Sequence, residues 1–159
     1  MAVGLMVGAL IWSGCERDEL DEEALAVAAE EAGPGVRGER SAHYSMQVQG
    51  TEVETEAEAS VEIALLPGPD LKINLEFPWS IQFDAAPGLD LPEGILDASA
   101  MDLREERALI PVALTAREAG VREVTARANF SVCNDDRCEI LRDQELVFTV
   151  EARPGAETE

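Results

Sequence analysis

From Ser41 onward, apolar and polar residues alternate along the chain, the period of a β-strand with one buried and one wet face. Tyr44, Met46 and Val48 alternate with Ser45 and Gln47. Val53, Thr55, Ala57, Ala59, Val61, Ile63 and Leu65 then alternate with Glu52, Glu54, Glu56, Glu58, Ser60 and Glu62. That run reads as a continuous strand whose acidic side faces water and resists edge-to-edge pairing. Pro67-Gly68-Pro69-Asp70 is a turn. Short strands are expected at 71–75 and 79–83, on either side of Pro78, and the Pro87-Gly88 and Pro92-Glu93-Gly94 turns bracket Leu89 and Leu91. The alternation over 108–115 contains Pro111, which cannot donate to a ladder and so predicts an edge or a bulge. Val124, Ala126, Ala128, Phe130 and Val132 share one face of a strand that follows Gly120. Leu146, Phe148 and Val150 share a face of the last one. Seven to eight short strands separated by turns predict an all-β sandwich. Trp79 and Phe83 fall in phase and are expected in its core, and His43 is expected as an exposed strand residue.

The first 40 residues are different. Residues 1–14 carry no charged side chain and are mostly apolar. The run is shorter than the roughly 20 residues of a membrane span, and it suits the apolar core of a signal peptide. Trp12-Ser13-Gly14-Cys15 resembles the lipobox of bacterial lipoproteins, in which the cysteine becomes the acylated N-terminus. That resemblance implies a lipid on Cys15 and attachment to a bacterial membrane; an ordinary exported protein with an incidental Cys15 is the alternative. Residues 16–40 hold nine acidic and three basic side chains and no aromatic. They read as a flexible tether, helical in part, kept extended by its charge. The folded domain is expected over 41–152, with a frayed tail at 153–159.

Over the whole chain, 33 acidic residues oppose 12 basic ones, a formal charge of −21. Nucleic-acid binding needs clustered Lys and Arg to displace counterions, so this balance argues against it. It equally disfavours docking on an anionic bilayer through basic residues. A single histidine leaves no basis for a Ser-His-Asp set, and no glycine-rich phosphate loop or paired-carboxylate site is present. No cofactor is implied.

Three cysteines leave one odd thiol. If Cys15 takes a lipid, Cys133 and Cys138 remain as a pair in a compartment where disulfides persist. Between them lies Asn134-Asp135-Asp136-Arg137, a turn-forming stretch that would set the cysteines face to face near the neck of a hairpin. Three readings stay open: a structural disulfide, a thiol–disulfide exchange pair, or a metal site. The loop is short, worth about 2 kcal/mol as a chain-entropy staple. A short loop at a sheet end also leaves the sulfurs accessible, as exchange requires. Asp135 and Asp136 would raise the thiol pKa against Arg137 alone, which slows attack by the reduced pair. Metal ranks last, because His43 is the only histidine beside two cysteines.

The stretch Phe130-Ser131-Val132-Cys133-Asn134-Asp135-Asp136-Arg137-Cys138, with the strand 145–150 after it, resembles the C-terminal part of the periplasmic N-terminal domain of the thiol–disulfide interchange protein DsbD. Leu71-Lys72-Ile73-Asn74-Leu75-Glu76-Phe77-Pro78-Trp79 and Pro87-Gly88-Leu89-Asp90-Leu91-Pro92 also look like segments of such domains, and the likeness spans roughly residues 60–150. It implies an immunoglobulin-like β-sandwich. It also implies that Cys133 and Cys138 pass electrons between a membrane-embedded donor and thioredoxin-like proteins, on the periplasmic side of the cell envelope. The family's aromatic cap over the cysteines would fall at 97–107, a stretch with no aromatic residue. A non-enzymatic binding or assembly lipoprotein, its disulfide purely structural, is the alternative expectation.

Overall fold

The computed structural model describes residues 42–155. Cys15, the expected signal segment and tether, and the last four residues lie outside the described residues. Eleven strands fill the described part: β1 Tyr44–Gln49, β2 Glu52–Glu54, β3 Glu58–Pro67, β4 Lys72–Ile73, β5 Ser80–Phe83, β6 Leu89–Asp90, β7 Ile95–Asp97, β8 Asp102–Arg104, β9 Arg107–Ala116, β10 Gly120–Cys133 and β11 Cys138–Arg153. A short 3-10 turn, Ala98–Ala100, stands between β7 and β8.

One sheet runs β1-β3-β9-β6 with β8 also on β9; the other runs β2-β11-β10-β5-β7 with β4 also on β10. Their inner faces bury Val61, Ile63, Leu65, Ile110 and Val112 against Val124, Phe130, Val132, Phe148 and Val150, all without exposed surface. The molecule is therefore an all-β, immunoglobulin-like sandwich, as the alternating pattern and turn spacing predict. Phe130 sits at its centre, stacked on Trp79 and met edge-on by Tyr44, with both centroid separations 5.0 Å. Trp79 and Phe83 are core residues. Glu52, Glu54, Glu56, Glu58 and Glu62 face solvent.

The strand count exceeds the expected seven to eight, for two physical reasons. First, the alternating run 52–65 is two strands. The chain breaks at Glu56, whose φ is 61°, and β2 joins β11 in parallel while β3 pairs with β9 in the other sheet. Second, β4, β6, β7 and β8 are two or three residues long, too short to show a period. His43 occupies a bend rather than a strand; it is half-buried and its carbonyl accepts from the Gly68 N–H at 2.7 Å. Pro111 falls where β9 lacks a neighbour on one side. β8 covers only Arg107–Leu109 there and β6 only Thr115–Ala116. The edge expectation holds. At the C-terminal end, the chain stays fixed beyond residue 152: Thr55 donates to the Arg153 carbonyl at 2.9 Å, and the Gly155 N–H donates to Thr55 Oγ1 at 3.2 Å.

Candidate functional site

β10 and β11 form the longest hairpin, paired from Gly120↔Ala152 to Cys133↔Cys138. Asn134 makes its tip. Its backbone N–H donates to the Arg137 carbonyl (2.9 Å), and its Oδ1 accepts from the Asp136 and Arg137 N–H groups at 3.0 and 2.9 Å. An Asn side chain capping backbone two and three residues ahead is the chemistry that makes this residue turn-forming. The hydrogen-bonded Asn134–Arg137 pair leaves Cys133 and Cys138 as the next, closely approaching cross-strand pair. Their Cα atoms are 4.0 Å apart and the sulfurs are bonded. Both cysteines singled out in the sequence thus meet in one disulfide.

The two halves of the bond differ in surroundings. Cys138 is exposed and Cys133 half-buried. Cys133 lies between two strands: Cys138 of β11 on one side and Lys72 of β4 on the other. On its own strand, Ser131 Oγ lies 4.0 Å from Cys133 Sγ. β4 is held in place by the Ile73 N–H donating to the Glu105 carbonyl (2.8 Å) and the Asn74 N–H donating to the Ser131 carbonyl (2.9 Å). The stretch 97–107 therefore does reach the site, but through Glu105 and without an aromatic cover.

An open groove of about 610 Å³ runs beside Cys133, with Lys72 and Leu75 among its lining residues and Asp70, Glu76, Glu105 and Asp135 as its carboxylates. Lys72 Nζ sits 3.1 Å from Glu105 Oε2. That hydrogen bond and its charge, with a smaller contribution from Asp135, hold the Lys72 ammonium above its ordinary pKa of 10.5. Arg137 is likewise occupied, 3.3 Å from Glu139. Lys72 and Arg137 thus each have a carboxylate partner.

Sequence reasoning missed Lys72, Glu105 and Ser131 as neighbours of the disulfide. Lys72 is the chain's only lysine, which singles it out but says nothing of its register against β10. No group of three or more His, Cys, Asp or Glu side chains among the described residues is placed to hold a metal ion.

No family model matches the chain, and no curated protein matches it. Among solved structures, a cohesin module from the family 33 glycoside hydrolase of Clostridium perfringens ATCC13124 is similar at 14% identity and a TM-score of 0.42, over 72% of this chain and all of that one. A likeness so distant carries no functional argument, and the sandwich assignment rests on the two sheets themselves.

Proposed function

We propose that this is an exported, lipid-anchored domain of the DsbD N-terminal kind, whose Cys133–Cys138 disulfide exchanges with thiol-redox proteins at the periplasmic face of the cell envelope. The observation that carries this reading is an exposed cysteine, Cys138, in a disulfide that adds little to a hairpin already paired on both sides of a single bulge. Closing a loop of about six residues is worth about 2 kcal/mol. A bond retained for stability would gain more by joining distant strands. The open groove beside Cys133 gives a partner segment somewhere to lie.

In the proposed reaction a partner thiolate attacks Cys138 Sγ in line with the S–S bond. The bond breaks, a mixed disulfide forms at Cys138, and Cys133 leaves as a thiolate with the electron pair. The partner's second thiolate then attacks its own sulfur in the mixed disulfide and releases Cys138. The pair gains the two electrons that the partner's dithiol gives up. Thioredoxin-like or membrane-embedded dithiol proteins fit this chemistry, and a lipid on Cys15 would keep the domain at the membrane.

A second reading, a binding or assembly lipoprotein with a structural disulfide, draws on the pairing of Lys72 with Glu105 and Arg137 with Glu139. With those cations occupied, the reduced thiols lack an uncompensated positive charge to activate them. The deciding measurement is the reduction potential of Cys133–Cys138, equilibrated against glutathione mixtures. A value near −200 mV is expected for exchange. A value below about −300 mV would establish a structural disulfide and retire the redox reading.

A further inference from the structure

Ser131 is the only polar side chain buried among the described residues, with no exposed surface, and it stands between Phe130 and Val132, which are equally buried. An apolar residue would suit that position, because a buried hydroxyl costs free energy unless it is hydrogen-bonded. Among the described residues, the single polar contact of Ser131 Oγ is Cys133 Sγ at 4.0 Å. Ser131 and Cys133 are two apart on β10, so their side chains project to the same face. In the disulfide, Cys133 Sγ carries no hydrogen and the hydroxyl is the donor. A disulfide sulfur is a weak acceptor, whereas a thiolate is a full negative charge, and hydrogen bonds to charged acceptors are about twice as strong.

We infer that Ser131 is a catalytic residue of the exchange reaction: its Oγ–H donates a hydrogen bond to Cys133 Sγ and stabilises the negative charge that develops there as the S–S bond breaks. The inference rests on the exchange reading and deepens it. The hydroxyl contributes more to the mixed-disulfide state, with Cys133 as thiolate, than to the oxidised state. An interaction that grows along the reaction speeds bond cleavage, since a more stable leaving thiolate departs faster. The same contact lowers the pKa of the freed Cys133 thiol, because hydrogen bonding to the charged form favours that form. No proton is transferred from Ser131, and the electron pair stays on Cys133.

The test uses the full chain with Cys15→Ser, so that only the Cys133–Cys138 pair is redox-active. Reduction of the disulfide by dithiothreitol is timed for this protein and for its Ser131→Ala variant. Cys133 is then titrated alone, by thiolate absorbance, in the Cys138→Ser background with and without Ser131→Ala. The expected result is about threefold slower reduction and a Cys133 midpoint about one pH unit higher once the hydroxyl is removed. Thermal unfolding of the oxidised proteins checks that Ser131→Ala leaves the fold in place. The midpoint reports directly on the charge of Cys133, which thermal stability does not. An unchanged rate together with an unchanged midpoint would overturn the inference. A parental potential below about −300 mV would instead sink the exchange reading, leaving the effect of Ser131 on sulfur chemistry separately measurable.

Discussion

Asp97 closes β7 and caps the 3-10 turn that carries the chain towards β8 and Glu105. Its carboxylate accepts from the Ser99 hydroxyl and from the Ser99 N–H, the latter at 2.9 Å. The hydroxyl is the larger influence and the backbone N–H the next; together they hold the carboxyl below its ordinary pKa of 3.8, against a small opposing effect of burial. A lowered folded-state value means stability that is complete above the unfolded pKa and lost as pH falls through the folded one. Asp97→Asn should therefore melt lower than the parent at neutral pH, and the gap should close below about pH 4 as the parent's carboxyl protonates. Melting curves taken from neutral pH down to about pH 2 check this; a gap that persists unchanged in acid would remove the carboxylate from the account. Single residues also mark the limit of reading side-chain environments from sequence. Lys72 is conspicuous as the sole lysine, yet its place opposite Cys133 depends on a two-residue strand whose register no local pattern encodes. Asn134-Asp135-Asp136, by contrast, specifies its own turn, so the meeting of Cys133 and Cys138 was legible from the residues alone.

Among elements, the long strands were legible and the switches between sheets were not. β1, β9 and β10 bury alternate residues, and β11 does so from Leu146 to Ala152; that alternation is written in the sequence, whereas the first half of β11, from Cys138, buries nothing and carries no such signal. The run 52–65 misleads because Val53 in β2 and Val61 in β3 both point into the one core. A strand that crosses from one sheet to the other keeps its inward parity, so the period passes unbroken through the turn at Glu56. β11 carries an irregularity of another kind. Its register against β10 slips by one residue between Ala128 and Phe130, and Asp143 takes a φ of 50°. Asn129 secures the slip: its Oδ1 accepts from the Asp143 N–H at 2.9 Å, and its Nδ2 donates to Ser80 Oγ on β5 at 3.0 Å. One side chain thus fastens three neighbouring strands. Asn129→Ala should cost about 1–2 kcal/mol, read as a lower denaturant midpoint with an unchanged m-value. A changed m-value would mean that the bulge reorganises rather than weakens.

At the scale of the molecule, charge selects what can approach the disulfide. The chain carries −21 overall, and the groove beside Cys133 concentrates that sign locally. Asp70, Glu76, Glu105 and Asp135 line it with Lys72 as the only cation, so its lining sums to 1 − 4 = −3. Clefts lined by one sign of charge focus the field and raise the local concentration of counter-charged reactants. A cationic thiol such as cysteamine should therefore reduce the Cys133–Cys138 bond faster than an anionic one such as 2-mercaptoethanesulfonate, after correction for each thiol's own pKa. The ratio should reach about tenfold at low ionic strength and collapse near 1 M salt, where the Debye length falls to about 3 Å. Locality is testable with two neutralised variants. Glu76→Gln, which removes one charge from the groove, should reduce the ratio. Glu123→Gln should not, since it lies ten residues back along β10, about 33 Å away. If both variants lower the ratio equally, the preference comes from total charge and the groove confers none of it. If only the groove variant lowers it, any protein that exchanges with this disulfide is expected to present a basic surface around its reactive cysteine.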